Sequence, residues 1–342
     1  MKKHGFKLAV VTIISLGFLF LFFRKIDWGE FLRYTTSANP FFFSLIILMA
    51  PLHLATRALR WHVLLKYQKK GVRFANTFAA NAVGFTVSNV FPGRVGEIVK
   101  PLYLARKEGM GAGFCLGTVV VERIFDIFVM CALLGIFLMA KPLYASAFSL
   151  SPETLGRLVF WGKIGVLFAL AVLVVCLCLY FFKEATMRVL TALLRPLPKR
   201  FSDRALGLAR EFIEGLTFFR SVGDFLLYTA LSFVVWLAIV LYYWVLFFAY
   251  RQPQPFFVLI PYVFLTMVGA SIPTPGMIGG FDFFSQLGMM SLYGLDRDLA
   301  TGMTLVMHAV QVGVTCLIGY AILGKEGLSL VQLKRMGKAE NP

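Results

Sequence analysis

The sequence predicts an all-α integral membrane protein with about six full spans and two re-entrant helical hairpins of opposite orientation, a layout that fits an inverted repeat. Hydrophobic residues make up 59% of the chain, against ~45–50% in soluble domains, and the mean hydropathy is +0.78. Several apolar runs reach the ~18 residues that mark a membrane-spanning helix. No stretch has the length or composition of a separate soluble domain, so residues 1–342 are predicted to form one polytopic membrane domain.

The predicted spans follow from the apolar runs and the charges beside them. The first run begins after Lys2 and Lys3 and exceeds the ~7–15-residue core of a signal peptide, so we predict a retained span. Two further runs, 74–105 and 256–292, contain proline and glycine near their middle, which ends a helix. Full spans are predicted at residues 7–23, 40–59, 111–140, 164–182, 225–249 and 299–323.

The positive charge of the chain indicates its topology. The net charge is +17, which in a soluble protein would suggest nucleic acid. In a membrane protein such an excess marks cytoplasmic loops, so we expect no nucleic-acid partner. Residues 57–73 carry basic side chains and no acidic one. Residues 183–221 are basic and amphipathic, which predicts an interfacial segment on the cytoplasmic face that attracts anionic lipid headgroups.

These basic segments decide how the two broken runs are threaded. If residues 74–91 crossed the membrane fully, residues 183–221 would be extracellular, against the positive-inside rule. A hairpin over residues 74–105 that enters from the cytoplasm and returns keeps them inside. The same reasoning makes residues 256–292 a hairpin that enters from the outside. Both termini are then cytoplasmic, and the expected location is the cell inner (plasma) membrane.

The first hairpin contains SNVFPGRVGEIVKP at residues 88–101. A half-helix that begins in the membrane presents free N–H groups and a positive dipole end, and an arginine beside it would suit a phosphate. The alternative is that Arg94 and Glu97, which are three residues apart, pair with each other and stabilise the break in the helix. The chain is expected to break at Pro92, Gly93 and Gly96, and the predicted substrate-binding residues of this hairpin are Arg94, Glu97 and Lys100.

Two other polar groups lie in predicted membrane segments. VVVERIFDIFVM places Glu122, Arg123 and Asp126 near the middle of the third span, where each charge costs ~2.5–3.5 kcal/mol on insertion. We expect them to face the interior, with Arg123 paired to Glu97, and Arg94 to Glu122 or Asp126, as substrate-binding residues or as a structural network. The second hairpin is expected to break at Pro273, Pro275, Gly276, Gly279 and Gly280. Asp282, which follows, is predicted to be a substrate-binding residue and a candidate ion or proton site, with a helix cap as the alternative.

The remaining intramembrane polar residues are predicted to be structural. His53, Arg57 and Arg60 share a helical stripe of the second span, and the two arginines are expected to snorkel to the inner interface. His308 is expected to be a packing residue. No metal-ligand spacing, Walker A loop or nucleophile elbow is present in the sequence, so neither a metal nor a cofactor is expected.

The segments NVFPGRVGEIVKP, VERIFD and PTPGMIGGFD, in this order, resemble the lysylphosphatidylglycerol synthase transmembrane-region family. The family patterns P-x-R-x-G-E and E-R-x-x-D match residues 92–97 and 122–126. The late PTPGG-x-G motif, usually followed by glutamate, is altered here to Met277 and Asp282. The resemblance implies a flippase-like membrane domain with two oppositely oriented re-entrant elements. We expect the stand-alone form, because the chain ends soon after the sixth span and before any soluble synthase domain.

Together, the resemblance and the charges predict a lipid translocator rather than an enzyme. The expected substrate is an anionic or headgroup-modified lipid, and phosphatidylglycerol derivatives, polyprenyl-phosphate carriers and hopanoids all stay open. Two alternatives stay open. One is a membrane-embedded glycosyl- or aminoacyl-lipid transferase, and the other is a membrane partner subunit of a separate lipid-modifying enzyme. A homodimer is a further partner hypothesis.

Overall fold

The computed structural model describes residues 29, 33, 36–66, 68–91, 93–140, 152–196, 198–214, 222–272 and 274–327. Every regular element among them is helical, so the chain is an all-α membrane protein, as predicted. The predicted first span, Pro92 and Pro273 lie outside the described residues. The helices are α1 (Pro40–Leu65), α2 (Phe74–Val90), α3 (Gly96–Glu108), α4 (Ala112–Met139), α5 (Pro152–Phe181), α6 (Lys183–Leu194), α7 (Lys199–Glu214), α8 (Val222–Ala249), α9 (Ile260–Ala270), α10 (Gly280–Tyr293) and α11 (Arg297–Lys325).

Long apolar helices make this a multi-pass membrane protein. Four of the described helices are long and apolar enough to cross a membrane: α1, α5 from Gly162, α8 and α11. Helix α4 has 28 residues and is equally long, but it carries Glu122, Arg123 and Asp126 at its centre. Those charges in a span-length helix require partners inside the protein.

Two pairs of shorter helices pack as hairpins. Helix α2 packs against α3, and α9, which follows a 3₁₀ turn at Phe256–Leu259, packs against α10. The four arms have 17, 13, 11 and 14 residues. At 1.5 Å per residue each arm is about 17 to 26 Å long, below the ~30 Å of a bilayer core. This geometry supports the predicted re-entrant hairpins, whose orientation in the membrane stays a prediction.

A glycine pair lets the arms of each hairpin approach closely. In the first hairpin, a Cβ on Gly96 would overlap the carbonyl oxygen of Gly84. In the second, a Cβ on Gly280 would lie 2.8 Å from the carbonyl oxygen of Gly269. Glycine is the residue that permits such backbone contact. The arms of the two hairpins therefore pack in the same way. In chain order, each hairpin lies between two long helices: α1 and α4 for the first, α8 and α11 for the second.

The tips of the two hairpins contact each other. The guanidinium of Arg94, at the first tip, donates a hydrogen bond to the carbonyl of Ala270, the last residue of α9. A Cβ on Gly276, in the 3₁₀ turn Pro275–Met277 of the second tip, would lie 3.2 Å from the carbonyl oxygen of Asn89. The two tips are therefore in direct contact.

The apolar core is divided into two clusters, one around each hairpin. Helix α4 contributes residues 114–125 to the cluster of the first hairpin and residues 129–137 to that of the second. Helix α1 likewise contributes Ile46 and Met49 to one cluster and Trp61, Leu64 and Leu65 to the other. In α1, Arg57 and Arg60 lie between these parts, and in α4 the charged stretch Glu122–Asp126 lies at the end of the first part. The polar residues therefore collect at the junction of the two cores.

The basic segment predicted over residues 183–221 contains two helices, α6 and α7. Helix α7 packs against the start of α4, where the Glu211 carboxylate accepts a hydrogen bond of 2.7 Å from the Gly113 N–H. This carboxylate satisfies one of the free donors of the α4 N-terminus. Phe201 and Leu208 of α7 are exposed apolar side chains, as expected for a helix at a membrane surface. Residues 215–221 lie outside the described part of the chain.

The glycine contact in the first hairpin predicts a stability effect. Gly96→Ala should lower the free energy of unfolding by about 1–3 kcal/mol, because the new methyl group must push the two arms apart. Gly135→Ala in α4 is the matched control, since a Cβ there meets no atom within 4 Å. Thermal unfolding of both variants in detergent measures the difference. Equal unfolding temperatures would contradict the close contact of the arms.

Candidate functional site

A cavity of about 280 Å³ lies where the two hairpin tips meet. Its walls come from both hairpins and from α1, α4, α8 and α11. Part of the lining is aromatic or aliphatic, including Phe85, Ile239, Tyr242, Met267 and Phe281. The charged side chains and histidines that line it are His53, Arg57, Arg94, Glu97, Lys100, Arg123, Asp126 and His308.

Arg94 occupies the tip of the first hairpin in an uncommon conformation. Its φ is +52°, in the left-handed region that non-glycine residues seldom adopt. Its guanidinium lies 3.1 Å from the Glu97 carboxylate and also donates to the Ala270 carbonyl. Because the C-terminal end of α9 carries partial negative charge, the arginine is stabilised there. Strain of this kind at a ligand cavity is typical of functional positions.

Asp126 of α4 is surrounded by cations. Its carboxylate lies 2.7 Å from Arg60, 3.2 Å from Arg123 and 4.0 Å from Arg57. The indole N–H of Trp236 donates a fourth contact, of 3.1 Å. This one carboxylate therefore joins α1, α4 and α8, and it holds two cavity-lining arginines beside each other.

Glu122, one turn earlier, forms a second and deeper pair. Lys100 donates to its carboxylate at 2.5 Å, and Arg60 lies 3.6 Å away. Glu122 is 1% exposed and Arg60 is fully buried, and neither lines the cavity. The Lys100 ammonium also lies 4.1 Å from the centre of the Trp61 ring, a cation–π distance. Glu122 and Arg60 form the support behind the cavity wall.

The connected network contains more positive than negative side chains. The basic members are Arg57, Arg60, Arg94, Lys100 and Arg123, and the acidic members are Glu97, Glu122 and Asp126. The Nε atom of Arg123 is buried and has no hydrogen-bond partner within the described part of the chain. The Oδ2 atom of Asp126 is likewise buried without a hydrogen-bond partner, although it lies 3.2 Å from Arg123 in an ion pair. An excess of cations beside a cavity is an environment that favours an anion.

The pairings predicted from the sequence have mixed outcomes. The predicted pair of Arg123 with Glu97 is confirmed, at 3.9 Å. The prediction that Arg94 pairs with Glu122 or Asp126 is wrong, because Arg94 binds Glu97 and the Ala270 carbonyl. The alternative that Arg94 and Glu97 pair with each other is therefore confirmed. The role of the predicted substrate-binding residues in binding a substrate stays a prediction.

The prediction that Arg57 and Arg60 snorkel to the interface is wrong. Both are buried, and both lie beside Asp126. Arg57 also donates to the Nε2 atom of His53 at 2.8 Å. A stripe of cations in α1 and a stripe of acids in α4 were both visible in the sequence. The missing information was that α1 and α4 pack together in this register.

Asp282 of the second hairpin does not line the cavity. Its carboxylate accepts from the Gly279 N–H at 2.9 Å, which confirms the alternative of a helix cap. Its other oxygen lies 2.6 Å from Nδ1 of His308, and Nε2 of that ring lies 2.7 Å from the Gly276 carbonyl oxygen. His308 is therefore a satisfied buried residue, as predicted, and it also faces the cavity.

Comparison with known proteins identifies the family. The model of the lysylphosphatidylglycerol synthase transmembrane region matches residues 7–319. The chain belongs to this family. A UPF0104 membrane protein of Pyrococcus horikoshii is 24% identical over 97% of this chain and 99% of its own length. A UPF0104 membrane protein of Methanocaldococcus jannaschii is 27% identical over 37% of this chain, a match that spans only 38% of that relative. The resemblance noted in the sequence is thus confirmed.

The buried ion pairs predict a large effect of Arg60. Arg60→Met should lower the free energy of unfolding by about 3–5 kcal/mol, because it leaves Asp126 and Glu122 buried with fewer partners. Lys66→Met is the control at the end of the same helix. Lys66 pairs with Asp224 while its side chain is 45% exposed, and such pairs contribute ~0–1 kcal/mol. Thermal or denaturant unfolding in detergent measures both, and similar effects would contradict the supporting role of Arg60.

Proposed function

We propose that this protein moves an anionic or headgroup-modified lipid between the two leaflets of the cell inner membrane. The observation that carries the proposal is the cavity where the two hairpin tips meet, lined by Arg57, Arg94 and Arg123. A lipid headgroup crossing a bilayer needs a polar path, because a charge in hydrocarbon is costly. A cavity with an excess of cations offers that path to an anion.

The volume of the cavity fits a headgroup better than a whole lipid. About 280 Å³ is just below the ~300–1,000 Å³ of pockets that enclose drug-sized ligands. The headgroup would bind among the arginines, while the acyl or prenyl chains remain among apolar surfaces. Exposed apolar side chains on α1, such as Leu48, Leu52 and Leu59, are consistent with a helix that faces lipid.

The contacts between the hairpin tips suggest how access could alternate. The first tip would open on the cytoplasmic side and the second on the outer side, according to the predicted topology. Arg94 touches the second hairpin through Ala270, and the same guanidinium belongs to the cavity wall. A phosphate that bound Arg94 would compete with the Ala270 carbonyl for its N–H donors. Substrate binding would thereby loosen the contact between the tips and favour opening of one side.

Purified protein in liposomes tests the proposal. Fluorescent phosphatidylglycerol and a fluorescent polyprenyl phosphate are reconstituted, and their movement between leaflets is followed by chemical quenching from outside. Arg94→Ala should slow transport at least ~10-fold, because one lost charged contact to a headgroup is worth 1.4 kcal/mol or more. Glu97→Gln should also slow transport, because Arg94 and Arg123 lose the carboxylate that orients them.

Arg106→Ala is the matched control, because Arg106 is exposed at the other end of α3. It should leave transport unchanged. Unfolding temperatures of all variants separate loss of the site from loss of the fold. Transport that is indifferent to Arg94→Ala and Glu97→Gln would contradict the proposed path. Absence of transport of any lipid by the wild-type protein would favour the alternative of a partner subunit for a separate lipid-modifying enzyme.

A further inference from the structure

The charged side chains around the cavity carry a net positive charge, and this charge limits the class of lipid headgroup that can bind there. The inference rests on the proposed function and adds the chemistry of the headgroup. The network has five basic side chains, Arg57, Arg60, Arg94, Lys100 and Arg123, and three carboxylates, Glu97, Glu122 and Asp126, joined by ion pairs. With each group ionised, this leaves two positive charges in excess.

The two histidines of the lining do not change that excess. Nε2 of His53 accepts a hydrogen bond from Arg57, and a nitrogen that accepts is unprotonated, so His53 is neutral. Both ring nitrogens of His308 face oxygen acceptors, the Asp282 carboxylate and the Gly276 carbonyl. Two hydrogen bonds need two protons on the His308–Asp282 pair. Wherever the shared proton resides, an imidazolium with a carboxylate or an imidazole with a carboxylic acid has no net charge.

The surroundings of the cavity on the described helices add no further balancing acid. The charged groups and histidines facing it come from α1 (His53, Arg57), from the first hairpin (Arg94, Glu97, Lys100), from α4 (Arg123, Asp126) and from α11 (His308). Helix α8 adds the phenols of Tyr242 and Tyr243, which are neutral at pH 7. Each acid among them already faces at least one cation. Arg57, Arg60 and Lys100 are buried, whereas the side chains of Arg94 and Arg123 are 29% and 33% exposed. An excess of about two positive charges lining such a partly buried cavity attracts a ligand of opposite charge.

We infer that the headgroup bound in this cavity is a phosphomonoester, the group shared by phosphatidic acid and polyprenyl monophosphates. A phosphomonoester carries about −1.5 to −2 charge at pH 7, which matches the excess. A phosphodiester such as phosphatidylglycerol carries a single negative charge and leaves the site half neutralised. Lysylphosphatidylglycerol has one phosphodiester and two amino groups, so it is a net cation that this cavity would repel. We therefore do not expect lysylphosphatidylglycerol to be the substrate of this protein, although the chain belongs to the family named after its synthase.

A matched pair of ligands tests this inference by binding. Phosphatidic acid and phosphatidylmethanol share their acyl chains and differ by one methyl group on the phosphate, which removes one ionisation. Dissociation constants are measured by native mass spectrometry on purified wild-type protein. Phosphatidic acid should bind about 10-fold more tightly or better, because one additional charge within ~10 Å contributes 1.4 kcal/mol or more at an effective dielectric constant of ~20.

Two charge-changing variants move the preference in opposite directions. Arg57→Gln lowers the excess by one charge and should reduce the preference for phosphatidic acid. Glu97→Gln raises the excess by one charge and should widen the preference for phosphatidic acid, even though it slows transport. Arg106→Ala, exposed on α3, should change nothing. Equal affinity for the two lipids, or a preference that neither Arg57→Gln nor Glu97→Gln alters, would overturn the inference.

Further ligands identify the source of the phosphomonoester and separate this inference from the proposed function. A polyprenyl monophosphate that binds much more tightly than phosphatidic acid would assign the site to a prenyl carrier, and the reverse order to a glycerolipid. Lysylphosphatidylglycerol should bind weakly, and tight binding would overturn the inference. Transport assays with the same lipids show whether the lipids that bind are also moved between leaflets. If binding follows the charge of the lipid but no lipid is transported, the proposed transport is refuted and the phosphomonoester site is supported. If the monoester and the diester are bound and transported equally, the phosphomonoester site is refuted and the proposed transport is supported.

Discussion

The structure depends on one cluster of buried ion pairs, where Asp126 and Glu122 of α4 meet Arg60 of α1 and Lys100 of the first hairpin. Buried ion pairs are weak evidence of stability, because desolvation offsets their attraction, but they strongly disfavour arrangements that leave a charge unpaired. In a membrane that penalty is larger still. The cluster therefore fixes the register of three elements against each other. It lies between the two apolar cores, where hydrophobic packing alone would leave that register open.

The candidate site is the exposed side of this cluster. Arg60 and Glu122 are sealed behind the wall, while Arg57, Arg123 and Asp126 reach the cavity. The second hairpin contributes two backbone acceptors: the Ala270 carbonyl accepts a hydrogen bond from Arg94, and the Gly276 carbonyl oxygen lies 2.7 Å from Nε2 of His308. Both carbonyls belong to residues at breaks in helices, where main-chain groups lack partners within the helix. The helix breaks thus supply polar main-chain atoms to the site.

The residue pattern of the sequence was sufficient for the fold class, the broken helices and the family, because apolar length and the Pro-Gly breaks are local signals. It also identified Arg94, Glu97, Lys100, Arg123 and Asp126, all of which line the cavity. It misjudged Arg57 and Arg60, because snorkelling and burial beside an acid leave the same local pattern. Only the packing of α1 on α4, across 66 positions of sequence for Arg60 and Asp126, distinguishes them. The capping role of Asp282 was open for a similar reason, since its partner His308 lies on another helix.

The central claim is that an anionic headgroup binds between the hairpin tips. Its most direct test is a cryo-EM structure of the protein in nanodiscs that contain phosphatidic acid in a phosphatidylcholine background. We predict phosphate density inside the cavity, within a hydrogen-bond distance of ~3 Å from the guanidinium of Arg94 or Arg123. A cavity filled by acyl chain, or one that stays empty while phosphatidic acid occupies only the outer surface of the helices, would contradict the claim.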